Sequence, residues 1–281
     1  MLVRTRELLL DAKNRGYAVG AFNVENAEMM AAVVAAADEQ KAPVILQTTP
    51  STLKYLSPQI FAAIARGFAS TTVVPIALHL DHGNGIAIVE KCIQFGYTSV
   101  MIDGSALPYE ENVTLTRQVC EIAAMNGVSV EAELGIVGGK EDNTEADMSQ
   151  YTDPEQAADF VQRTGVDSLA ISIGTAHGFY VSTPVLDLSR ISLIRKVLDA
   201  PLVLHGASGV PDEVIEEAVR LGISKVNFAT ELRDAYTKAV RAYLLADSKV
   251  YDPKKYGVAA MEAVKQLVAR KIRICNCDGK A

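Results

Sequence analysis

The chain has 281 residues, of which 49% are hydrophobic and 22% are charged, and its formal net charge is −7. This composition is typical of a globular protein with enough apolar content for a large core. The negative charge argues against a nucleic-acid partner, although backbone amides can still bind phosphate locally. No run of roughly 18 apolar residues exists, so no membrane span is predicted.

The N-terminal segment and the cysteines indicate the compartment. Residues 1–16, MLVRTRELLLDAKNRG, lack the apolar h-region of a signal peptide. The four cysteines fit neither a paired CxxC zinc pattern nor the framework of a small disulfide-rich domain. They are Cys92, Cys120, Cys275 and Cys277. We therefore expect a reduced, cytoplasmic protein.

Eight short apolar runs recur along the chain and are typical of strands buried on both faces. They cover residues 17–24, 43–49, 75–82, 99–105, 129–135, 168–174, 201–207 and 225–230. Segments of helical period separate the runs, among them residues 26–40, 109–127 and 211–222. Eight strand–helix units in about 250 residues predict an α/β protein, a closed (β/α)8 TIM barrel that forms a single domain over residues 1–281.

Two features test this architecture. An open doubly wound sheet is the competing fold, but no GxGxxG motif follows the first strand as a dinucleotide-binding version would need. The longest irregular stretch, residues 135–154, is Gly-rich and acidic and follows the fifth strand. At this length we expect a mobile active-site loop.

Histidines stand at the C-terminal ends of the predicted strands, the face on which barrel enzymes build their sites. His82, His177 and His205 end or follow three different strands. A single such histidine is often only hydrogen-bonded, but three at equivalent positions favour a catalytic zinc site with an open fourth position. His79, which alternates to the other face from His82 in an ideal strand, is interpreted as structural.

Carboxylates accompany these histidines. Asp81 adjoins His82 and could act as a general base, as a hydrogen-bond partner of a ligand, or as a cap of the next turn. Asp103 ends the fourth strand, and Glu131 and Glu133 stand two residues apart in the fifth. Asp103 and Glu133 could hold a second or alternate metal, or could only hydrogen-bond inside the barrel rim.

A Gly-rich segment after the seventh strand and a polar segment at the end of the eighth indicate an anion pocket. HGASG at 205–209 precedes a helix, and NFAT at 227–230 ends the eighth strand. Loops at these two places usually bind phosphate in this fold, through backbone N–H groups and a helix N-terminus. Ser208 and Thr230 can add hydroxyl donors. Because HGASG is not the GxSxG nucleophile elbow, a serine hydrolase is not favoured.

Taken together, these motifs resemble the class II, zinc-dependent ketose-bisphosphate aldolases along essentially the whole chain. The matching segments are YAVGAFNV, HLDHG, SVMIDGS, SVEAELG, GGKED, IGTAHGFY, PLVLHGASG and KVNFATE. The sequence is most similar to the tagatose-1,6-bisphosphate aldolases, through TAHGFY, Ala229 and the tail CNCDGKA at 275–281. Many fructose-bisphosphate members carry a second polar residue where Ala229 stands. Some tagatose members have a third histidine where this chain has Gly83-Asn84.

The resemblance implies a reaction, a cofactor and partners. The reaction is reversible cleavage of D-tagatose 1,6-bisphosphate to dihydroxyacetone phosphate and glyceraldehyde 3-phosphate, with fructose 1,6-bisphosphate or another phosphorylated ketose as alternatives. The cofactor is one catalytic Zn²⁺, with an alternate or second metal position. A monovalent cation such as Na⁺ or K⁺ is expected near the backbone of Ala176, Gly178 and Gly206. A homodimer or homotetramer and a companion subunit are also implied.

The resemblance also implies residue roles. His82, His177 and His205 match the zinc ligands. Asp81 matches the acid/base at the C4 oxygen, and Glu141, in GGKED, matches a residue that transfers a proton at the dihydroxyacetone carbon. Asp103 and Glu133 match the alternate or second metal position. The positions that match substrate contacts are Asn23, Thr49, Gly178, Gly206, Ala207, Ser208, Asn227 and Thr230.

Three alternatives remain open at this point. A Schiff-base aldolase needs a desolvated lysine at an inner strand end, but the sixth strand has none and Lys225 is expected at the start of the eighth strand, on the wrong face. A zinc hydrolase or isomerase could also use three histidines. A supporting subunit of an aldolase complex is the non-enzymatic alternative, although such a subunit would be expected to lose the ligands.

Overall fold

The computed structural model of the chain describes residues 2–141, 144–146, 150–180 and 182–281, and for 140–141 and 144–146 it describes the backbone alone. Numbered along the chain, the strands are β1 (Val19–Asn23), β2 (Val44–Thr48), β3 (Ile76–Gly83), β4 (Ser99–Ile102), β5 (Ser129–Leu134), β6 (Gly138–Glu141), β7 (Thr144–Ala146), β8 (Ser168–Ile171), β9 (Ala176–His177), β10 (Leu202–Leu204) and β11 (Ile223–Phe228). Eight of them close into a parallel barrel in the order β1-β2-β3-β4-β5-β8-β10-β11.

Helices occupy the connections between the barrel strands. They are α1 (Thr5–Arg15), α2 (Ala27–Gln40), α3 (Pro50–Tyr55), α4 (Pro58–Ala69), α5 (Ile86–Phe95), α6 (Tyr109–Met125), α7 (Pro154–Thr164), α8 (Leu188–Val197), α9 (Asp212–Arg220), α10 (Thr230–Ala246) and α11 (Pro253–Ile274). Local sequence determines where several helices begin. The side chains of Asn26 and Asp153 cap α2 and α7 by accepting hydrogen bonds from backbone N–H groups, and Pro154 occupies the first turn of α7. None of the described helices is both long and apolar enough to cross a membrane.

The eight predicted barrel strands are confirmed, and the chain forms a single-domain (β/α)8 barrel. Their residues are buried almost throughout, which explains the near-continuous apolar runs. Several strands end earlier than predicted, for example at Ile102 and Leu204, so that Asp103 and His205 directly follow the strand ends at the barrel mouth. This mouth is where the predicted site residues meet.

The stretch 135–154 departs from the expectation of an irregular loop. Strands β6 and β7 form within it as an antiparallel pair, and β6 also pairs in parallel with β9. Gly139 allows this pairing: its φ is 87°, and a Cβ there would lie 2.3 Å from the backbone oxygen of His177. A small three-stranded sheet therefore joins the segment after β5 to the segment that carries His177.

Candidate active site

The end of β3 brings two consecutive side chains to the barrel mouth. In a regular strand Asp81 and His82 would point to opposite faces. Here the pairing of β3 with β4 shifts register between Leu80 and Gly83, and His82 has a left-handed backbone with φ 47°. Gly83 makes the shift possible, because a Cβ there would lie 2.4 Å from the backbone oxygen of Met101. Asp81 is buried, and His82 is half-buried beside it.

The three histidines predicted as ligands lie together. The ring centroid of His82 is 5.0 Å from that of His177 and 4.7 Å from that of His205, and the His177 and His205 centroids are 6.1 Å apart. One nitrogen of each ring lies within 4.8 Å of the corresponding nitrogens of the other two. The cluster therefore presents three imidazole nitrogens to one point.

Carboxylates on the outer sides of two rings define which nitrogen faces the cluster. His82 Nδ1 is 2.8 Å from Asp103 Oδ2, and His205 Nε2 is 2.9 Å from Glu131 Oε1. Because a carboxylate can only accept, these two ring nitrogens carry the hydrogens. His82 Nε2 and His205 Nδ1 then point lone pairs at each other across 2.8 Å. A cation between the rings removes that repulsion, so the residues fit a metal, and neutral imidazoles suit zinc.

Both outer carboxylates are held in their charged form. Burial by itself raises the pKa of Asp103, but hydrogen bonds from His82 and Ser105 outweigh burial and bring the pKa well below its usual value. Burial also raises the pKa of Glu131, and the charge of Lys225 with the hydrogen bond from His205 again brings it far below the usual value. These carboxylates can therefore orient metal-ligating imidazoles as acceptors.

Asp103 and Glu133 were also expected to hold an alternate or second metal. With His82 they form a second group whose ligand atoms lie within 4.8 Å of one another. Glu133 Oε2 is 3.7 Å from His205 Nδ1, so this carboxylate borders the histidine cluster. Asp103 already accepts hydrogen bonds from the Ser105 backbone N–H and hydroxyl, at 3.0 and 2.7 Å. The second position stays a prediction.

Amide side chains fix the carboxylate of Asp81. Asn23 Nδ2 donates to Asp81 Oδ2 at 2.8 Å, and Asn227 Nδ2 donates to Oδ1 at 3.2 Å. Gln47 Nε2 donates in turn to Asn23 Oδ1 at 2.7 Å. Within the described part of the chain, Asn227 Oδ1 is buried without a hydrogen-bond partner, and it lines the pocket beside Asp81. An incoming hydroxyl can satisfy it.

A pocket opens next to His177. Its lining comes from the ends of β1, β10 and β11, the segment after β9 and the first turn of α10: Asn23, His177, Gly178, Gly206, Ser208, Asn227, Ala229, Thr230 and Arg233. Ser208 Oγ accepts from the Ala229 backbone N–H at 3.2 Å, which joins the two loops. The N-terminus of the 17-residue helix α10 begins at Thr230 and favours an anion there.

Tyr180 links two backbone segments next to this pocket. Its hydroxyl donates to the Gly206 carbonyl at 2.8 Å and accepts from the Ala176 N–H at 2.7 Å. Gly206 has φ 66°, and a Cβ there would lie 2.7 Å from the Ala176 oxygen. The Gly206 carbonyl belongs to the backbone near which a monovalent cation was expected, and it already accepts a hydrogen bond from Tyr180. The cation stays a prediction.

Two predicted residues, Thr49 and Ala207, are not among the described residues that line this pocket, and a third, Glu141, has a side chain that the structure does not describe. Thr49 is buried at the end of β2, where its hydroxyl accepts from the Thr52 N–H at 3.4 Å at the start of α3. Ala207 is fully buried between Gly206 and Ser208. The side chain of Glu141 lies outside the described residues, so its proton-transfer role stays a prediction.

Sequence reasoning missed several residues and misplaced one. Lys225 was expected at the start of the eighth strand, on the wrong face for a Schiff-base lysine, but it lies within β11, is fully buried and donates to both Glu131 oxygens at 2.9 and 2.8 Å. β11 begins at Ile223, two residues earlier than expected, which places Lys225 within the strand. Arg233 could have been found from its position three residues after Thr230, which is one helical turn. Gln47 was recognisable as a polar residue in an otherwise apolar strand.

Eight parallel strands whose ends carry three clustered histidines, a fixed carboxylate and a polar pocket define a barrel enzyme whose site residues fit a metal ion. The family described as fructose-bisphosphate aldolase class-II matches residues 3–280. The chain therefore belongs to the class II fructose-bisphosphate aldolase family and is an aldolase, a carbon–carbon lyase.

Solved structures agree with this assignment. The chain is 38% identical to the YdjI aldolase from Escherichia coli K12, with full coverage of both chains and a TM-score of 0.90. A putative fructose-1,6-biphosphate aldolase from Coccidioides immitis is 28% identical, with 99% and 97% coverage and a TM-score of 0.91. The fructose-bisphosphate aldolase from Campylobacter jejuni is 26% identical, with 100% and 97% coverage and a TM-score of 0.86.

Proposed function

We propose that this aldolase is zinc-dependent and cleaves D-tagatose 1,6-bisphosphate to dihydroxyacetone phosphate and glyceraldehyde 3-phosphate. The observation that carries the proposal is that Asp81, the neighbour of His82 in the chain, is held by the amides of Asn23 and Asn227, and both amides line the pocket that His177 also lines. A ketose phosphate can place its phosphate in that pocket and its C3–C4 bond at Asp81. His82, His177 and His205 would hold the zinc.

Asp81 would act as the base in the cleavage direction. Removal of the C4 hydroxyl proton by Asp81 lets C4 become the aldehyde carbon as the C3–C4 electron pair moves to the three-carbon fragment. When bound, zinc supplies Lewis-acid stabilisation of the negative charge that develops on that fragment. The Asn23 and Asn227 amides keep both carboxylate oxygens oriented, which lowers the entropy cost of the proton transfer. Glu141 is the proposed donor to the resulting carbanionic carbon.

The pocket would bind the dihydroxyacetone phosphate end. Gly178, Gly206 and Ser208 line it and would donate backbone N–H groups and a hydroxyl, and Thr230 begins a helix whose dipole favours a dianion. Arg233 adds a cation at the rim, where Glu25 Oε1 holds its Nε at 2.7 Å. Binding energy from the phosphate can then align carbons that react several atoms away.

The tagatose preference rests on Ala229 and on the two sequence segments TAHGFY and CNCDGKA. Ala229 lines the pocket with a methyl group, where many fructose-bisphosphate members carry a polar side chain. Fructose 1,6-bisphosphate, the C4 epimer, is the second candidate, because the family description and two of the similar structures name it. A homodimer or homotetramer is also proposed, and light scattering of the purified protein measures it.

The deciding experiment is retro-aldol turnover of the zinc-loaded enzyme on both epimers, expressed as the ratio of kcat/KM values. A clear preference for tagatose 1,6-bisphosphate is expected. A preference for fructose 1,6-bisphosphate keeps the reaction and overturns the substrate. If neither is cleaved, the bisphosphate assignment is wrong for the isolated chain, and the same assay with other phosphorylated ketoses, or with a companion subunit added, identifies what is missing.

A further inference from the structure

The interior of the barrel contains an ion pair directly below the histidine cluster. Lys225 is fully buried, and its ammonium donates to both oxygens of Glu131, at 2.9 and 2.8 Å. Glu131 is 1% exposed, and its Oε1 also lies 2.9 Å from His205 Nε2. The interiors of such barrels are usually filled with branched apolar side chains. A charged pair at this depth therefore needs an explanation.

Stability alone does not provide the explanation. The desolvation of two buried charges offsets much of their attraction, so apolar residues of similar volume are often as stable or more stable. The polar atoms of the pair nevertheless have several neighbours within hydrogen-bonding distance. The Nζ of Lys225 also lies 3.4 Å from His79 Nε2, and His79 Nδ1 is 2.8 Å from Ser99 Oγ. These contacts hold the lysine, and the lysine holds the carboxylate in one orientation.

That orientation determines the state of the His205 ring. A neutral imidazole has two tautomers, and only the one with hydrogen on Nε2 leaves a lone pair on Nδ1. The carboxylate of Glu131 accepts from Nε2 and selects this tautomer. It also fixes the ring plane, because His205 is fully buried and its other nitrogen faces His82 Nε2 at 2.8 Å.

We infer that Glu131 is a positioning residue for the metal ligand His205, and that Lys225 is the buried counter-charge that keeps Glu131 in place. The inference rests on the proposed function, because it requires that the three histidines hold the metal. It also gives Lys225 a role different from the Schiff-base lysine considered for other aldolases. Neither Glu131 nor Lys225 is among the residues that line the pocket, so we expect the effect of each to pass through His205.

Two double variants separate the hydrogen-bond acceptor from the ion pair. Lys225→Met with Glu131→Gln, and Lys225→Met with Glu131→Met, both remove the two buried charges together, which barrel interiors tolerate better than the loss of one charge. Only the glutamine keeps an oxygen that can accept from His205 Nε2. The zinc dissociation constant is measured on folded protein by chelator competition, and the visible spectrum of the cobalt(II)-loaded protein reports the ligand geometry.

We expect the methionine double variant to bind zinc about 10- to 100-fold more weakly than wild type and to change the cobalt spectrum. The glutamine double variant should recover most of both properties. Equal zinc affinity and an unchanged spectrum in the two double variants would mean that Glu131 only fills space, and the inference would fall. Lys225→Met alone should fold less stably than the double variant with Glu131→Gln, because it leaves one buried charge unpaired.

A control variant and a wild-type measurement complete the test. Lys271 is another buried lysine, but its ammonium pairs with Glu231 at 2.8 Å and Asp212 at 3.6 Å and not with Glu131, so Lys271→Met should leave zinc affinity unchanged. In the metal-free wild type, nitrogen-15 NMR of the histidine rings should show His205 with hydrogen on Nε2, and hydrogen on Nδ1 would contradict the inference even if no variant folds.

The outcomes also distinguish this inference from the proposed function. A wild-type enzyme that binds zinc and cleaves a ketose bisphosphate, while the methionine double variant retains full zinc affinity, would refute the inference alone. A wild type that takes up no zinc would refute both the proposed metal dependence and this inference.

Discussion

The two sides of the candidate active site are built from different parts of the chain. On the metal side, side chains make the site: His82 in β3 and His205 directly after β10 are oriented by Asp103, after β4, and Glu131, in β5. On the phosphate side, in the loops after β10 and β11, we expect backbone N–H groups to make most of the contacts, as at Gly206 and the start of α10. A metal needs charge and lone pairs, which only side chains supply in this set. A phosphate needs several N–H donors, which the backbone supplies at little entropic cost.

This difference implies different sensitivity to substitution. Removing one side chain on the metal side removes a ligand or a proton carrier outright. Removing one side chain on the phosphate side leaves the backbone donors in place, so its effect should be small unless the backbone itself is disturbed.

The largest effect is expected from His177→Ala. Loss of one of three ligands should remove bound zinc and reduce kcat/KM on the order of 10³-fold or more, because Lewis-acid stabilisation contributes several kcal/mol. Metal analysis of the purified variant and turnover are measured on the same preparation. A variant that keeps both its zinc and its activity would exclude His177 from the site.

Asp81→Asn should lower kcat about 10²- to 10⁴-fold, the usual contribution of a general base. Zinc content should stay near that of wild type, because Asp81 is bonded to Asn23 and Asn227 and not to a histidine nitrogen. This pairing of lost turnover with retained metal separates the acid/base from the ligands. Simultaneous loss of zinc in Asp81→Asn would show that the two functions are not separable.

Gly206→Ala tests the backbone of the phosphate side. Its φ of 66° and the distance of only 2.7 Å between an added Cβ and the Ala176 oxygen predict a displaced loop and a loss in kcat/KM of about 10- to 100-fold. Gly16→Ala is the matched control: its φ is 70°, but no atom lies within 4 Å of its Cβ position. The control should lose about 1–2 kcal/mol of unfolding free energy and keep its kinetic constants. Equal kinetic loss in both variants would contradict the close-approach argument.

Ser208→Ala should have the smallest effect. The variant loses one hydroxyl that accepts from Ala229 N–H, and we expect KM to rise about 3- to 10-fold with kcat nearly unchanged. Ser189→Ala, on the exposed surface of α8, is the control and should change neither constant. A large fall in kcat for Ser208→Ala would mean that the phosphate side depends on side chains as strongly as the metal side does.

Much of the fold was predictable because each barrel strand is apolar along its length and each helix has local boundary signals. The site was predictable to the level of which residues converge, since strand ends of a barrel meet at one rim. The placement of Lys225 at the start of the eighth strand failed because β11 begins at Ile223, two residues before the predicted run, so Lys225 lies within the strand. The small sheet that includes residues 138–146 could not be predicted locally, because β6 also pairs with β9, which lies more than thirty residues away along the chain.

The sequence by itself determined the alternation of strands and helices, the barrel and the family, because these depend on local periodicity and on motifs in order. It also indicated the three histidines and Asp81. Only the tertiary structure decided which nitrogen of each ring faces the cluster, since Asp103 and Glu131 reach the rings from different strands. The contact of Lys225 with Glu131 likewise joins residues 94 positions apart. Such contacts depend on the closure and register of the barrel, and no local sequence pattern predicts them.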